Sequence, residues 1–134
     1  MAKILLVEDN QFLSTLLKNR LEKEKFEVFL AQNGYDALDI LRKERPDLIL
    51  LDIILPGKQE GDTFLPGKTG FEILEDMRSD PQLADKRNIP VIVISNLGQE
   101  SDVDRGKELG VVDYFVKARV SIDDLIEKIK TFIH

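Results

Sequence analysis

Pro46-Asp47-Leu48-Ile49-Leu50-Leu51-Asp52 carries four apolar residues in succession, without polar alternation, and closes on an aspartate. A strand with one wet face alternates, so an unbroken run points to a strand covered on both faces, as in a parallel sheet. The same design recurs outward along the chain. Ile4-Leu5-Leu6-Val7 closes on Glu8 and Asp9, Val91-Ile92-Val93-Ile94 on Ser95, and the shorter Tyr114-Phe115-Val116 on Lys117, with Val28-Phe29-Leu30 as a further short run.

Between these runs the apolar spacing is helical: Phe12, Leu13, Leu16, Leu17 and Leu21; Ala37, Leu38 and Leu41; Phe71, Leu74 and Met77; Ile122, Leu125, Ile126 and Ile129. Asp102 to Leu109 shows the period more weakly. Pro46, Pro90 and Gly110 stand where helices should have stopped, and Ser121-Ile122-Asp123-Asp124 reads as an N-cap with an acidic residue at the positive end of its helix. Five strand-helix units follow, and that alternation predicts a doubly wound α/β sandwich with right-handed crossovers.

One segment breaks the rhythm. From Ile53 to Thr69 the chain has three glycines, two prolines and several charges but no apolar period, too long for an ordinary strand-to-helix loop. Leu55-Pro56-Gly57-Lys58 recurs ten positions later as Leu65-Pro66-Gly67-Lys68, and removing ten residues would leave a compact loop running straight into the helix at Gly70. The segment reads as an insertion of about residues 57–67 in a single domain spanning 1–134, with the look of a local duplication. Its simplest role is a solvated excursion, since closure entropy grows only as about (3/2)RT ln n. A sharper reading makes it a lid, with Lys58, Glu60, Asp62 or Lys68 leaning over the residues that end the strands.

Composition removes several classes of chemistry. There is no cysteine, which excludes disulfides and thiolate sites and fits a cytoplasmic protein. The only histidine is the terminal His134, which argues against a Ser-His-Asp triad or a histidine-ligated zinc. No run of residues approaches a membrane span, and the first apolar run is too short for a signal peptide. A net charge of −6 with interleaved Lys and Glu offers no basic stripe for direct contact with nucleic acid.

What remains is the set of polar residues that end the strands. In open α/β sheets sites form outside the carboxyl ends of the strands, so Glu8, Asp9, Asp52, Ser95 and Lys117 are expected on one rim. Clustered carboxylates repel and suit a hard divalent cation such as Mg2+, while a lysine opposite them supplies a fixed positive charge for an anion. A carboxylate there can attack a phosphoryl group if metal and lysine neutralise the oxygens that gain charge. Taken alone, these residues describe a site for phosphate and metal and leave the protein's class open.

In their order and spacing, Lys3-Ile4-Leu5-Leu6-Val7-Glu8-Asp9, Pro46 through Asp52, Ile89-Pro90-Val91-Ile92-Val93-Ile94-Ser95 and Asp113-Tyr114-Phe115-Val116-Lys117 resemble bacterial response-regulator receiver domains, of the stand-alone type. The resemblance covers nearly the whole chain apart from the insertion. It implies a flavodoxin-like (βα)5 three-layer sandwich with five parallel strands ordered 2-1-3-4-5. It implies Asp52 as phosphoacceptor, Asp9 as direct Mg2+ ligand, Glu8 as a ligand through water, and the Ile54 backbone carbonyl as a further ligand, with Mn2+ able to substitute. Ser95 would hydrogen-bond the phosphoryl group, Lys117 would pair with it, and Tyr114 would turn inward as Ser95 is drawn to it. The implied partners are a histidine kinase or histidine phosphotransfer protein and an unknown downstream target, read by the face of the fourth helix, fifth strand and fifth helix of a monomer or weak dimer. The alternative keeps the fold as an interaction module independent of phosphorylation.

Two departures from the family pattern bear on function. Ala118 follows Lys117 where the family has proline after a cis bond, which puts the path of the lysine loop in question. Ile54 and Leu97, two positions beyond Asp52 and Ser95, are apolar and cannot orient a hydrolytic water, which points to a long-lived phosphorylated state. Rival motifs fail. Gly67-Lys68-Thr69 lacks the first glycine of a P-loop, which would fall at Asp62. A haloacid-type phosphatase needs a second aspartate where Ile54 stands. A flavin phosphate would be repelled by Glu8 and Asp9.

Overall fold

The structure, a computed structural model, describes residues 1–133; His134 lies outside the described residues. Five strands, β1 (Lys3–Val7), β2 (Glu27–Ala31), β3 (Leu48–Leu51), β6 (Val91–Ser95) and β7 (Asp113–Val116), form one parallel sheet in the order β2-β1-β3-β6-β7. Counted among themselves these strands run 2-1-3-4-5, as expected. Strands β4 (Lys58–Glu60) and β5 (Thr63–Leu65) form a separate hairpin. Helices α1 (Gln11–Lys23), α2 (Gly34–Lys43), α3 (Gly70–Ser79), α4 (Glu100–Glu108) and α5 (Ile122–Phe132) cover both faces of the sheet.

The unbroken apolar runs become strands because each successive side chain finds its own core. Leu5, Val7, Ile49, Leu51, Val91 and Val93 pack with Ala37, Leu41, Ile73, Leu74 and Met77 of α2 and α3. Their neighbours Ile4, Leu6, Leu48, Leu50, Ile92 and Ile94 pack with Leu17 and Leu21 of α1 and Leu125, Ile126 and Ile129 of α5. Full burial of each such side chain is worth roughly 1.5–3 kcal/mol, and the two-sided cover commits the register because no strand has a face to spare.

Helix starts are set by side-chain caps. Asn10, Asn33, Thr69 and Ser121 accept hydrogen bonds from the backbone N–H of Leu13, Asp36, Glu72 and Asp124. The stripe on α1 departs from expectation: Leu17 and Leu21 are buried, but Phe12 is 80% exposed and Leu16 also faces solvent. Five apolar residues spaced this closely span more of the helix than one sheet can cover. Helix α4 is held differently from the others, for Gly106 is its only buried residue. Its Arg105 ion-pairs with Glu75 and lies 5.1 Å from the Phe71 ring centroid, and Arg78 donates to the Leu109 carbonyl at its end. A short 3-10 turn over Pro81–Lys86, which the apolar spacing does not announce, precedes β6.

The insertion is an ordered hairpin. Lys58 pairs with Leu65, Gln59 with Phe64 and Glu60 with Thr63 about a turn at Gly61 and Asp62. The two Leu-Pro-Gly-Lys copies form its stem, back to back: a Cβ on Gly67 would stand 2.8 Å from the Leu55 carbonyl oxygen and 3.6 Å from the Pro56 carbonyl carbon. The side chains named for a lid are engaged elsewhere. Lys58 pairs with Asp36 of α2 at 2.7 Å and Lys68 with Asp76 of α3 at 2.6 Å, Glu60 lines the groove between those helices, and Asp62 is exposed in the turn. Opposite charges on α2 and α3 draw the arm along the outside of the fold.

The excursion leaves and returns at one point, since Gly70 N–H donates to the Ile53 carbonyl at 2.8 Å. Because Gly67 already abuts Pro56, deletion of residues 57–66 needs little movement at the junction. Shortening the closed loop relieves about 1 kcal/mol of closure entropy, which offsets the half-exposed ion pair of Lys58 and the hydrogen bond of Tyr35 that the arm supplies. The deletion variant is expected to fold with a melting temperature within about 5 °C of the full chain, as read by circular dichroism.

Candidate phosphoacceptor and metal site

Strand register assembles the rim. Val7 pairs with Leu51, so Glu8 and Asp52 emerge side by side, and Ser95 pairs with Val116, which brings Lys117 to the same edge. Asp52 N–H donates to the Val7 carbonyl at 3.0 Å, extending the ladder one step beyond the strand. Gly70 lies directly under Asp52, with no space for a side chain between its Cα and the Asp52 carbonyl oxygen. The start of α3 is thereby fixed against the central acid.

Glu8 and Asp52 are buried, whereas Asp9 is exposed at the mouth. One ligand oxygen from each of the three lies within 4.8 Å of the others. Lys117 Nζ stands 2.7 Å from Asp52 Oδ2 and 2.7 Å from Glu8 Oε1, bridging the two buried acids. Asp52 Oδ1 accepts from Ile53 N–H at 2.7 Å, and Glu8 Oε2 accepts from Asn10 N–H at 3.1 Å. Glu8 Oε1 has no properly directed hydrogen-bond donor, and its approach to Lys117 is a charge contact only.

Burial raises the Glu8 carboxyl above its ordinary value of 4.5; the Lys117 ammonium and the Asn10 N–H pull the other way without cancelling it, and Asp52 adds repulsion. For Lys117 burial alone would lower the pKa, but the hydrogen bond it donates to Asp52 and the negative charge of Asp52 and Glu8 outweigh it and hold the group above 10.5. The lysine stays protonated. Three converging carboxylates, one with a buried oxygen lacking a donor, are hard ligands that fit Mg2+ or Mn2+. Ile54, expected to add a backbone carbonyl, follows two residues after Asp52 and is 58% exposed.

The remaining expected residues lie on this rim or beside it. Ser95 is buried, and its Oγ accepts from Leu97 N–H at 3.3 Å. Tyr114 donates its hydroxyl to the Leu97 carbonyl at 2.5 Å, so Leu97 joins the two residues through its backbone. Burial, with repulsion from Asp102 and Asp52, pushes the Tyr114 hydroxyl up to about 12, and it remains a donor. All peptide bonds among the described residues are trans, including Lys117–Ala118, which opens a 3-10 turn over Lys117–Arg119. The lysine reaches Asp52 without the cis bond. Sequence reading missed Gly70 and the linking backbone of Leu97, and took Phe12 and Leu16, which border an apolar surface groove beside the start of α1, as core. A cavity of about 440 Å3, lined by none of Glu8, Asp9 and Asp52, lies between α2, α3 and the hairpin.

Residues 4–130 match the family model described as response regulator receiver domain. The chain is 37% identical over 131 residues to sporulation initiation phosphotransferase F of Bacillus subtilis (strain 168), covering 98% of this chain and 93% of that protein. It superposes on the Mn2+-bound form of response regulator Rcp1 with a TM-score of 0.75 at 32% identity, covering 98% and 94% of the two chains. A CheY-like receiver domain protein of Methanospirillum hungatei JF-1 gives a TM-score of 0.79 at 27% identity, covering 98% and 92%. Among the described residues no helix is long and apolar enough to cross a membrane.

The raised Glu8 pKa has a consequence for stability. The folded chain holds this proton more tightly than the unfolded chain, so the stabilisation it brings is present at low pH and is lost as pH rises from about 4.5 through the folded-state value. In EDTA, Glu8→Gln should therefore raise the urea midpoint relative to wild type near pH 7.5, and the gain should shrink as the pH is lowered toward 5. A gain that is equal at both pH values would contradict a buried, charge-strained Glu8.

Proposed function

The chain belongs to the response regulator receiver domain family, and on that premise we propose that Asp52 accepts a phosphoryl group from a histidine kinase or histidine phosphotransfer protein. The chain is a receiver of two-component phosphorelay signalling. The observation that carries the assignment of Asp52 is the bridge of Lys117 across Asp52 and Glu8 at 2.7 Å each, which puts a fixed cation beside the buried acid. Asp52, Glu8 and Asp9 hold Mg2+ in this reading, with the Ile54 carbonyl as a further ligand. When bound, the ion supplies positive charge against the phosphoryl oxygens.

In the transfer an oxygen of the Asp52 carboxylate attacks phosphorus, the bond from phosphorus to the donor nitrogen breaks, and the imidazole leaves with that electron pair. Ile53 N–H holds the other carboxylate oxygen, Lys117 follows the charge onto the phosphoryl group, and the Ser95 hydroxyl donates to it. Turning Ser95 toward phosphate disturbs its contact with Leu97, whose carbonyl holds Tyr114, and so alters the face formed by α4, β7 and α5. The exposed Phe12 and Leu16 next to the rim supply an apolar contact for the protein donor. We assign the chain to the cytoplasm with its family, as a switch that assists its own phosphorylation. The alternative, an interaction module independent of phosphorylation, loses one of its supports, because Lys117 meets the acids with Ala118 following it.

Incubation with acetyl phosphate and Mg2+ should add one phosphoryl group by mass spectrometry, absent in EDTA and in Asp52→Ala. Failure with both acetyl phosphate and a phosphorylated histidine donor would sink the assignment. By the family resemblance Ile54 and Leu97 stand beside the path of the hydrolytic water, and as apolar side chains they cannot orient it, so the phosphorylated form should decay slowly. Ile54→Asn or Leu97→Glu should shorten its lifetime by about tenfold, the low end of what a well-placed proton acceptor contributes.

A further inference from the structure

We propose that the hairpin arm is a strap for the metal-binding loop, with Tyr35, Lys58 and Lys68 as positioning residues that set divalent-cation affinity through the backbone at Ile54. The inference rests on the reading of the pocket as a cation and phosphoacceptor site and extends it to residues outside that pocket.

The exposed side chain of Ile54 does nothing to hold its backbone, so its neighbours must. On one side Ile53 is buried, and its carbonyl accepts from Gly70 N–H. On the other side Leu55 is buried, and its carbonyl packs on Gly67, two residues past the returning strand of the arm. Whatever holds Gly67 therefore also holds the far side of the metal loop.

Two contacts flank Gly67. The Pro66 carbonyl accepts from the Tyr35 hydroxyl at 2.6 Å, and Lys68 Nζ pairs with Asp76 at 2.6 Å. The outgoing strand is fastened at Lys58, whose partner Asp36 uses its second oxygen to accept from Asn33 Nδ2, the same residue that caps α2. Both strands of the arm are thus tied to helices that are themselves locked into the core. A sixteen-residue excursion left untied would transmit its motion through Gly67 to Leu55, one residue from the ligand. Mg2+ tolerates such looseness poorly, because it requires near-octahedral geometry at about 2.0–2.1 Å.

The strap makes an asymmetric demand: an unfastened arm must bind metal worse than no arm at all. Mn2+ binding would be titrated by the electron paramagnetic resonance signal of the free ion, with Mg2+ as competitor. Four proteins would be compared: the full chain, the double variant Tyr35→Phe with Lys68→Met, the same variant carrying Lys68→Arg instead, and the deletion of residues 57–66. The Tyr35→Phe, Lys68→Met variant should bind about 3–10-fold more weakly, somewhat less than the usual loss for residues directly behind metal ligands. Lys68→Arg should recover part of that loss, the deletion should bind within about twofold of the full chain, and hydrogen exchange should show residues 59–64 released in the double variant only. Unchanged affinity in the double variant, or equal weakening in the deletion, would overturn the strap. A full chain that binds neither ion would overturn the site reading and the strap together, whereas a full chain that binds normally beside an unaffected double variant overturns the strap alone.

Discussion

Glu8, Asp9 and Asp52 carry like charges at the end of a sheet that is dry on both faces, and their mutual repulsion is the constraint around which the molecule is arranged. Two such charges at 4 Å interact by on the order of 4 kcal/mol at the effective dielectric of a protein surface. Lys117 answers that repulsion from just beyond the last strand of the sheet, by a route that runs through the register of β3, β6 and β7. A one-residue slip in any of those strands would turn a rim residue into the core, so the buried runs that build the sheet also hold the charges in place.

The same arrangement explains why so much of the fold and site was legible in the sequence. A parallel strand buried on both faces leaves an unmistakable unbroken run, and the residue that ends it must be polar because it reaches the open edge. Glu8, Asp52, Ser95 and Lys117 were found in this way, and the family resemblance then gave them roles. Phe12 and Leu16 misled, because apolar identity fixes periodicity but not which part of an overly wide stripe meets the sheet. Ala118 pointed to a diverted lysine loop, yet a long flexible side chain reaches Asp52 from a trans backbone. Gly70 and the backbone of Leu97 were invisible because their contribution is main-chain proximity, which leaves no side-chain signature.

The insertion shows the limit of reading a segment by its lack of pattern. Its three-residue strands are too short for alternation to register, and they are stabilised by partners distant in sequence, Asp36 and Asp76. The repeated Leu-Pro-Gly-Lys was nevertheless informative. Two identical small-residue segments can approach closely when antiparallel, and here Gly67 sits against Leu55 and Pro56 while Gly57 sits against Leu65. The repeated segment thus supplies both sides of the hairpin's stem.

Helix α4 is fastened by arginines rather than by buried apolar side chains, Gly106 alone being fully covered. Displacing such a helix exchanges ion pairs and carbonyl contacts for water while exposing little hydrocarbon. Since heat-capacity changes scale with the hydrocarbon surface uncovered, the movement carries a small ΔCp. The enthalpy and entropy of such a displacement would then vary little with temperature, and a balance between two placements of α4 would follow a nearly straight van't Hoff line, even though the stability of the domain as a whole follows the curved profile of a large apolar core.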